Sequence, residues 1–207
     1  MESIFRKYEE GDYEQCEFLV NRAWEFDNNL KPQGLANLAK YANTKGAETA
    51  SNYRMVVEVN GDIIGFIFAF NELSNKPRRN ILFGLSFRWR LWHLKIAERD
   101  NKKKLIDAIN THEKNRSQII SRGKSEIVLL VIRKSYQGLG YGKKLWFDFM
   151  SNCKATGAKS IFVEANALSS GHFYEKLGFQ KVGDFDSPIH EFMDNNGHAC
   201  IYEYLCK

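Results

Sequence analysis

Three glycines at every second position, Gly138, Gly140 and Gly142, give the sequence its clearest chemical signal. They follow an aliphatic run, Ile127–Ile132, which is too short for an independent helix and predicts a buried strand. After them, Lys143–Cys153 carries apolar side chains at helical spacing. A strand, a glycine-rich loop and a helix in this order direct free backbone N–H groups and the positive end of the helix dipole toward one point. Because glycine accepts positive φ and lets a ligand approach closely, the loop predicts a phosphate-binding site, and a tight turn without a ligand is the alternative.

The composition is that of one mixed domain. The chain has 207 residues, of which 43% are hydrophobic and 14% aromatic, enough for a sizeable core. Strand-like and helix-like stretches alternate along it, which predicts an α/β or α+β fold.

The cysteines and the apolar runs indicate a cytoplasmic protein. Cys16, Cys153, Cys200 and Cys206 have no metal-ligand spacing, so they are expected to be reduced thiols, with no metal site and no disulfide framework. The longest apolar run, Ile63–Phe70, is too short to span a bilayer. The first residues also lack the apolar segment of a signal peptide.

Positive charge is concentrated in one stretch. The formal net charge is +5, but residues 72–124 contain fourteen Lys and Arg against five Asp and Glu. The rest of the chain therefore carries a net charge of −4. Such a basic segment is able to contact nucleic acid, a membrane surface or an anionic cofactor, although a solvated helical face is the simpler interpretation.

The N-terminal elements are predicted from apolar periodicity and capping residues. Ile4–Glu9 is a candidate first strand, and the helix after it is expected to be capped by Asp12, with Gln15 completing a capping box. A second helix is predicted over residues 33–44, with Gly46 at its end.

A β-hairpin follows, and then a long connection. Residues 53–59 and 63–70 read as two strands, and Asn60-Gly61 between them is the dipeptide that a two-residue type I′ turn prefers. Residues 71–124 are expected to form an ordered helical insert, because a structureless connection of that length would be unusual. Its candidate helices are Ile81–Ala97 and Lys102–Ile120.

The elements after the glycine loop are predicted from their caps and turns. The helix behind the loop is expected to end at Gly157, and a short helix capped by Ser169 or Ser170 is expected to stop at Gly178. Turn chemistry at residues 195–197 separates the last two strands. The strands are expected at Lys159–Ala165, Gln180–Asp186 and Ala199–Leu205.

Two motifs together resemble a known family. Residues 137–142, Gln-Gly-Leu-Gly-Tyr-Gly, match the Q/R-x-x-G-x-G/A loop of the GCN5-related N-acetyltransferases, the GNAT family. Residues 174–179, Tyr-Glu-Lys-Leu-Gly-Phe, resemble the Y-x-x-x-G-F signature that closes the family's catalytic core. The resemblance covers about residues 1–70 and 125–207. It implies a mixed, largely antiparallel central sheet flanked by helices, with a helical insertion between the third and fourth strands. The chain would be a single acetyltransferase domain over residues 1–207, with a basic helical insert at about 71–124.

The resemblance also implies roles for single residues. The glycine loop would hold the pyrophosphate of coenzyme A, and the backbone of Val131 and Ile132 would pair with its pantetheine arm. Tyr174 would protonate the departing thiolate as the general acid, and Glu126 would deprotonate the amine directly or through water. The implied cofactor-binding residues are Val131, Ile132, Gln137, Gly138, Leu139, Gly140, Tyr141, Gly142, Lys143 and Asn166.

Each of these roles has a structural alternative. Glu126 could be an exposed charge at the start of a strand, an interpretation that the sequence alone slightly favours. Tyr174 could be an aromatic side chain packed on the sheet, although its place in the Y-x-x-x-G-F signature favours catalysis. Lys143 could be an ordinary helix-surface lysine.

The implied function is that of an acyl-CoA-dependent N-acyltransferase. It would transfer acetyl from acetyl-CoA to a primary amine by direct attack in a ternary complex, because no Cys or Ser nucleophile is evident. The alternative is a non-catalytic acyl-CoA-binding or sensing module, which would need neither Tyr174 nor a base. A nucleic-acid-binding protein acting through the basic insert is a third interpretation, but the sequence lacks an RNA-binding motif.

The expected partners follow from the same resemblance. The acceptor would be a small-molecule or peptide amine, and nucleic acid is not the expected partner. The chain would be a monomer or homodimer without a membrane span, and the insert would shape or cover the acceptor site.

Overall fold

The computed structural model describes residues 3–75, 81–94, 99–166, 170–194 and 197–206. Within these ranges the chain forms a mixed sheet flanked by helices. The strands are β1 Ser3–Lys7, β2 Tyr53–Val59, β3 Asp62–Phe70, β4 Glu126–Ile132, β5 Ser160–Ala165, β6 Gln180–Asp186 and β7 His198–Leu205. The helices are α1 Tyr13–Trp24, α2 Phe26–Asn29, α3 Gln33–Ala50, α4 Ile81–His93, α5 Arg99–Ile119, α6 Tyr141–Thr156, α7 His172–Lys176 and α8 Pro188–Asp194.

The described strands form one seven-stranded sheet in the order β1-β2-β3-β4-β5-β7-β6. Neighbouring strands are antiparallel except β4 and β5, which are parallel. Helices α4 and α5 lie between the third and fourth strands in the chain. The predicted fold class, a largely antiparallel sheet with a helical insertion at this point, is therefore confirmed.

Helices cover both faces of the sheet. On one face, a core around Leu145, Trp146 and Phe149 of α6 packs against the strands. On the other face, α1, α2 and α3 pack against β2, β3 and the later part of β4. Strand β4 changes faces because it skips Val128 in its pairing with β3, and such a bulge reverses the inward and outward alternation.

Three predictions about the first helices are wrong. Asp12 does not cap α1, because its carboxylate accepts two hydrogen bonds from the Arg6 guanidinium, at 2.7 and 2.8 Å. Gln15 forms no capping box, and its side-chain oxygen instead accepts the N–H of Ile63 at 2.9 Å, which ties α1 to β3. Helix α3 also runs past Gly46 to Ala50.

The hairpin and the helix ends agree with the sequence. Asn60 and Gly61 have φ values of 54° and 86°, the positive pair that a type I′ turn requires. Helix α6 ends at Gly157 with φ 87°. Helix α7 ends in a Schellman motif, in which the Gly178 N–H donates to Glu175 and the Phe179 N–H donates to the Tyr174 carbonyl.

Some predicted caps and turns cannot be compared with the fold. Ser169 and residues 195–196 lie outside the described residues. Helix α8, between the last two strands, has no counterpart in the sequence-based prediction.

The insert packs on the rest of the fold at two places. Helix α4 lies on α3, where the Phe83 ring fills the space over Gly46. Helix α5 lies on β6 and α8, and Ile119 fills the space over Gly183. None of the helices in the described ranges is long and apolar enough to cross a membrane.

Candidate active site

The parallel strands β4 and β5 separate after their first two paired residues. Glu126 lies opposite Phe162 and Ile127 lies opposite Val163, and the described chain has no further pairs between these strands. Their outer edges stay paired with β3 and β7 along the length of both strands. An opening therefore begins at Val128, and it leaves one edge of β4 available to an extended ligand.

Backbone directions along β4 determine which groups face this opening. The Arg133 N–H donates to the Ile64 carbonyl at 2.7 Å, so it points to β3. Because successive residues point in opposite directions, the N–H of Ile132 faces the opening and the backbone of Val131 faces β3. The Ile132 carbonyl accepts a hydrogen bond from the Gln137 side chain at 2.9 Å. The prediction for Val131 is therefore corrected, since its backbone groups are turned toward the neighbouring strand.

The glycine loop has the conformation that a phosphate cradle requires. Gly138 and Gly140 have φ values of 80° and 88°, and a Cβ on either would meet no atom within 4 Å. Glycine is therefore needed here for its backbone angle, and the space in front of the loop is open. The first internal bond of α6 runs from the Lys144 N–H to the Gly140 carbonyl, at 3.0 Å. The N–H groups of residues 141–143 consequently have no acceptor within the helix.

The side chains around the loop have separate positions. Leu139 is 66% exposed and does not border the opening. The Tyr141 ring packs near Phe5, with centroids 6.2 Å apart. The Lys143 ammonium lies 5.5 Å from the ring centroid of Phe147 on the surface of α6. The Tyr141 ring is therefore packed against a neighbouring ring, and the Lys143 ammonium lies beside Phe147.

Tyr174 lies in the wall of the opening. Its ring is nearly perpendicular to those of Phe173 and Phe179, at centroid distances of 5.1 and 5.5 Å. Burial raises the pKa of the phenol, so Tyr174 is protonated at neutral pH. The side chain is thus part of the core, and it also borders the opening as a protonated phenol.

Asn166 directly follows β5, before the segment that leads to α7. Its carbonyl accepts the N–H groups of Ser170 and Gly171, at 3.1 and 2.9 Å. Its backbone therefore fixes the start of the segment that carries Tyr174. The residue also borders the opening, as a cofactor contact would require.

Glu126 belongs to a cluster of charged and polar side chains, and is not an exposed charge. Arg116 of α5 donates to Glu126 and, at 3.0 Å, to Glu164 of β5. The Nε2 atoms of His190 and His112 lie 3.2 and 3.6 Å from the carboxylate oxygens of Glu164. We call these five residues the ion cluster; the insert, the two separating strands and α8 all contribute to it.

The pKa values of the Glu126 and Glu164 carboxylates are shifted in opposite directions. Burial raises the pKa of Glu126, and the neighbouring Arg116 only partly offsets this effect. Burial also opposes the ionisation of Glu164, but the hydrogen bond from His190 and the charge of Arg116 outweigh it and lower the pKa. Ionisation is therefore favoured for Glu164 and disfavoured for Glu126, relative to an ordinary glutamate.

The imidazole of His112 is largely buried. Burial lowers its pKa. Its Nδ1 lies 2.8 Å from the Ser187 hydroxyl, so one ring nitrogen is held at the turn before α8. Within the described residues, no group of His, Cys, Asp and Glu side chains is arranged to hold a metal ion.

One cleft of about 1320 Å³ joins these features. It runs from the glycine loop along the opening between β4 and β5 to the ion cluster. The predicted site residues that border it are Glu126, Val131, Ile132, Gln137, Gly138, Gly140, Tyr141, Gly142, Lys143, Asn166 and Tyr174. The sequence did not point to Arg116, Glu164, His112 or His190, which also border it. The one local signal was Glu164, a charged residue between apolar neighbours within a strand.

Part of the chain matches a known protein family. Residues 94–187 match the family model described as an acetyltransferase (GNAT) domain. The matched segment begins at the end of α4 and includes β4, the glycine loop, α6, β5 and α7. No curated protein sequence matches the chain.

Solved structures share the fold at low sequence identity. The chain is similar to SsHAT, with 13% identity over 100% of both chains and a TM-score of 0.66. It is also similar to aminoglycoside 6′-acetyltransferase type Ii, with 13% identity over 99% of this chain and 97% of that one, and a TM-score of 0.57. Ard1 from Thermoplasma volcanium has 15% identity over 99% and 98% of the two chains, and a TM-score of 0.54.

The matched family model covers the segment that forms the opening, the glycine loop and the tyrosine helix. The sheet topology is the one that the resemblance implied. Residues 94–187 are therefore similar to the GCN5-related N-acetyltransferase family, and the chain shares its fold with solved acetyltransferases of that family.

Proposed function

We propose that this chain is an acyl-CoA-dependent N-acyltransferase that transfers acetyl from acetyl-CoA to a primary amine by direct attack in a ternary complex. The observation that carries the proposal is the single cleft that joins the glycine loop, Tyr174 and Glu126. A phosphate cradle, a protonated phenol and a carboxylate with raised pKa are the groups that this reaction needs in one place.

The residues at the loop end of the cleft fit coenzyme A. Positive φ at Gly138 and Gly140, open space before the loop and the unpaired N–H groups at the start of α6 suit a pyrophosphate. The Ile132 N–H is directed to pair with an amide of the pantetheine arm, and it is also suited to polarise a carbonyl in the opening. When bound, the coenzyme supplies the acyl group as a thioester.

Tyr174 is assigned the general-acid role. Its phenol keeps its proton at neutral pH because burial disfavours the phenolate. That proton is available to the sulfur as the thiolate leaves, and the phenol recovers it from solvent. The neighbouring rings of Phe173 and Phe179 fix the orientation of the phenol.

Glu126 is assigned the role of base, with Arg116 as its positioning residue. The acceptor enters as an ammonium ion at neutral pH and must lose a proton before it can attack. Burial raises the pKa of Glu126 toward neutral pH, which strengthens the carboxylate as a base. Arg116 holds Glu126 in one orientation by donating to it, and Glu164 holds Arg116 in turn. The amine proton passes to Glu126 directly or through a water molecule.

We further propose that residues 1–207 are a single domain that includes the insert. Helix α5 supports this proposal by packing on β6 and α8 and by carrying His112 and Arg116 to the cleft. The insert would thus shape the acceptor side of the site. Helix α5 is also the part of the cleft wall where amine acceptors would be distinguished.

The test measures binding and turnover on the same samples. Titration calorimetry gives the affinity for coenzyme A, and release of free thiol from acetyl-CoA reports turnover over a panel of small amines, peptides and amino sugars. We expect micromolar-range binding, amine-dependent release, and a loss of roughly 10²-fold or more in kcat for Tyr174→Phe with unchanged binding. Tyr53→Phe is the matched control, because Tyr53 is a partly buried tyrosine that packs on Phe149 away from the cleft. Coenzyme A binding without turnover on any amine would instead support an acyl-CoA-sensing module.

A further inference from the structure

Helix α4 exposes an apolar stripe on the surface of the insert. Leu82, Leu85, Trp89 and Trp92 are 75%, 59%, 60% and 76% exposed. Their spacing of three, four and three residues places them on one face of the helix. Four large apolar side chains in a row form a contiguous patch, in contrast to the isolated exposed residues that most surfaces carry.

The opposite face of α4 holds the helix on the protein. Phe83 stacks on Tyr41 of α3 at a centroid distance of 5.6 Å, and the Arg90 guanidinium lies 4.1 Å from the centroid of the same ring. Leu94, just after the helix, is buried against Gly34. Helix α4 therefore has its core contacts on one face, and the apolar stripe is exposed beside them, with Trp89 also bordering a groove toward α3.

Exposed basic residues lie on the same insert as the stripe. Arg88 of α4 and Lys103 and Lys104 of α5 are exposed. The Lys102 ammonium donates to the Trp92 carbonyl at 2.9 Å, which brings the start of α5 beside the end of α4. In the sequence, residues 72–124 carry nine more basic than acidic side chains. An apolar face with tryptophan, bordered by Lys and Arg, has the composition of a helix that lies in a membrane interface.

We propose that the apolar stripe of α4 docks the protein on an anionic lipid surface, with the helix lying in the plane of the interface. The leucines and tryptophans would enter the boundary between headgroups and acyl chains, while the basic side chains contact lipid phosphates. A second copy of this chain is disfavoured as the partner, because pairing two stripes would bring two strongly basic inserts together and their charges would repel. Nucleic acid would satisfy the charge but would leave the leucines of the stripe uncovered.

The test uses the full chain and vesicles of two compositions, phosphatidylcholine alone and phosphatidylcholine with phosphatidylglycerol. We expect co-sedimentation with the anionic vesicles only, a blue shift of the tryptophan fluorescence, and weakening by added salt. Trp89→Ser/Trp92→Ser should weaken the association by roughly tenfold or more, because the buried apolar area decreases. Phe18→Ser is the matched control, since Phe18 is 52% exposed on α1 outside the insert.

Several results would overturn the proposal. It fails if the protein does not sediment with anionic vesicles at low ionic strength, or if the double variant binds them as tightly as the control does. A dimer that the double variant loses would assign the stripe to a second copy, and tryptophan-dependent binding to RNA would assign it to nucleic acid. Circular dichroism shows that each variant is folded. Coenzyme A binding should be the same in all of them, because none of the four stripe residues borders the cleft.

Discussion

Replacement of Arg116 by methionine removes the guanidinium that joins Glu126 to Glu164. All three side chains are largely buried, with exposed fractions of 19% for Arg116, 25% for Glu126 and 19% for Glu164. Methionine fills much of the same volume without charge. The substitution therefore leaves two carboxylates facing each other in a poorly solvated place, and only Glu164 keeps close histidine partners.

The expected loss of stability follows from this burial. Removal of one partner from a buried ion pair decreases the free energy of unfolding by about 3–5 kcal/mol. Water reaches about a fifth of each side chain and Glu164 retains His190, so we expect a value near the lower limit, about 3 kcal/mol. For a chain of this size, 1 kcal/mol corresponds to a shift of about 2–4 °C, so the melting temperature should fall by about 6–12 °C.

A double-mutant cycle with Glu126→Gln separates this effect from the loss of packing. Arg116→Met/Glu126→Gln removes the unpaired charge as well, so its stability should exceed the sum of the single effects by about 1 kcal/mol or more. Urea unfolding at neutral pH measures all four proteins. A loss below about 1 kcal/mol for Arg116→Met, or strict additivity in the cycle, would refute the reasoning. In the acetyl-transfer assay, Arg116→Met should also move the acid limb of the pH–rate profile to higher pH, because the pKa of Glu126 rises further.

Three other changes have defined outcomes. Gly140→Ala should weaken coenzyme A binding by roughly tenfold, because φ 88° is strained for alanine, whereas Gly84→Ala, in the open helical part of α4, should leave calorimetric binding unchanged. Gly65→Ala should destabilise the fold by about 2–3 kcal/mol in urea unfolding, because its Cβ would overlap Ile132 and lie 2.8 Å from the Val131 carbonyl oxygen; a loss under 1 kcal/mol would contradict this. Burial lowers the pKa of His112, so the wild type should lose stability as the pH falls below the ordinary value of 6.5. His112→Gln should flatten that part of the curve of unfolding free energy against pH, and an unchanged slope would exclude His112 as its source.

The glycine loop and the hairpin could be predicted because their causes are local. Positive φ at Gly138, Gly140 and Gly61 is a property of a few consecutive residues, and the sequence shows it directly. The end of α7 at Gly178 follows the same rule. For these elements the sequence was sufficient.

The errors occurred where a residue outside the predicted helix contacts the group that would have ended or capped it. Asp12 has the right residue type for a helix cap, but the Arg6 guanidinium takes its carboxylate. Gly46 looked like a helix end, but its lack of a side chain instead makes room for Phe83 of the insert. The sequence alone contains no signal that these partners are adjacent.

The ion cluster was beyond prediction for the same reason. Arg116 lies 48 residues from Glu164, and only the packing of α5 on the end of the sheet brings them together. The backbone directions along β4 could likewise be assigned only from its pairing with β3. That pairing turns the backbone of Val131 toward β3 and the N–H of Ile132 toward the opening. The proposed catalytic residues, Tyr174 and Glu126, could be singled out by the family resemblance, whereas the side chains that surround Glu126 could not.

The most direct test of the central claim is a crystal structure of the protein with coenzyme A bound. We predict a pyrophosphate held by the backbone N–H groups of residues 138–143 and a pantetheine arm along β4 at Ile132. The sulfur should lie in the cleft between Tyr174 and the ion cluster. A coenzyme bound outside the opening between β4 and β5, or with its sulfur directed away from Tyr174, would contradict the account.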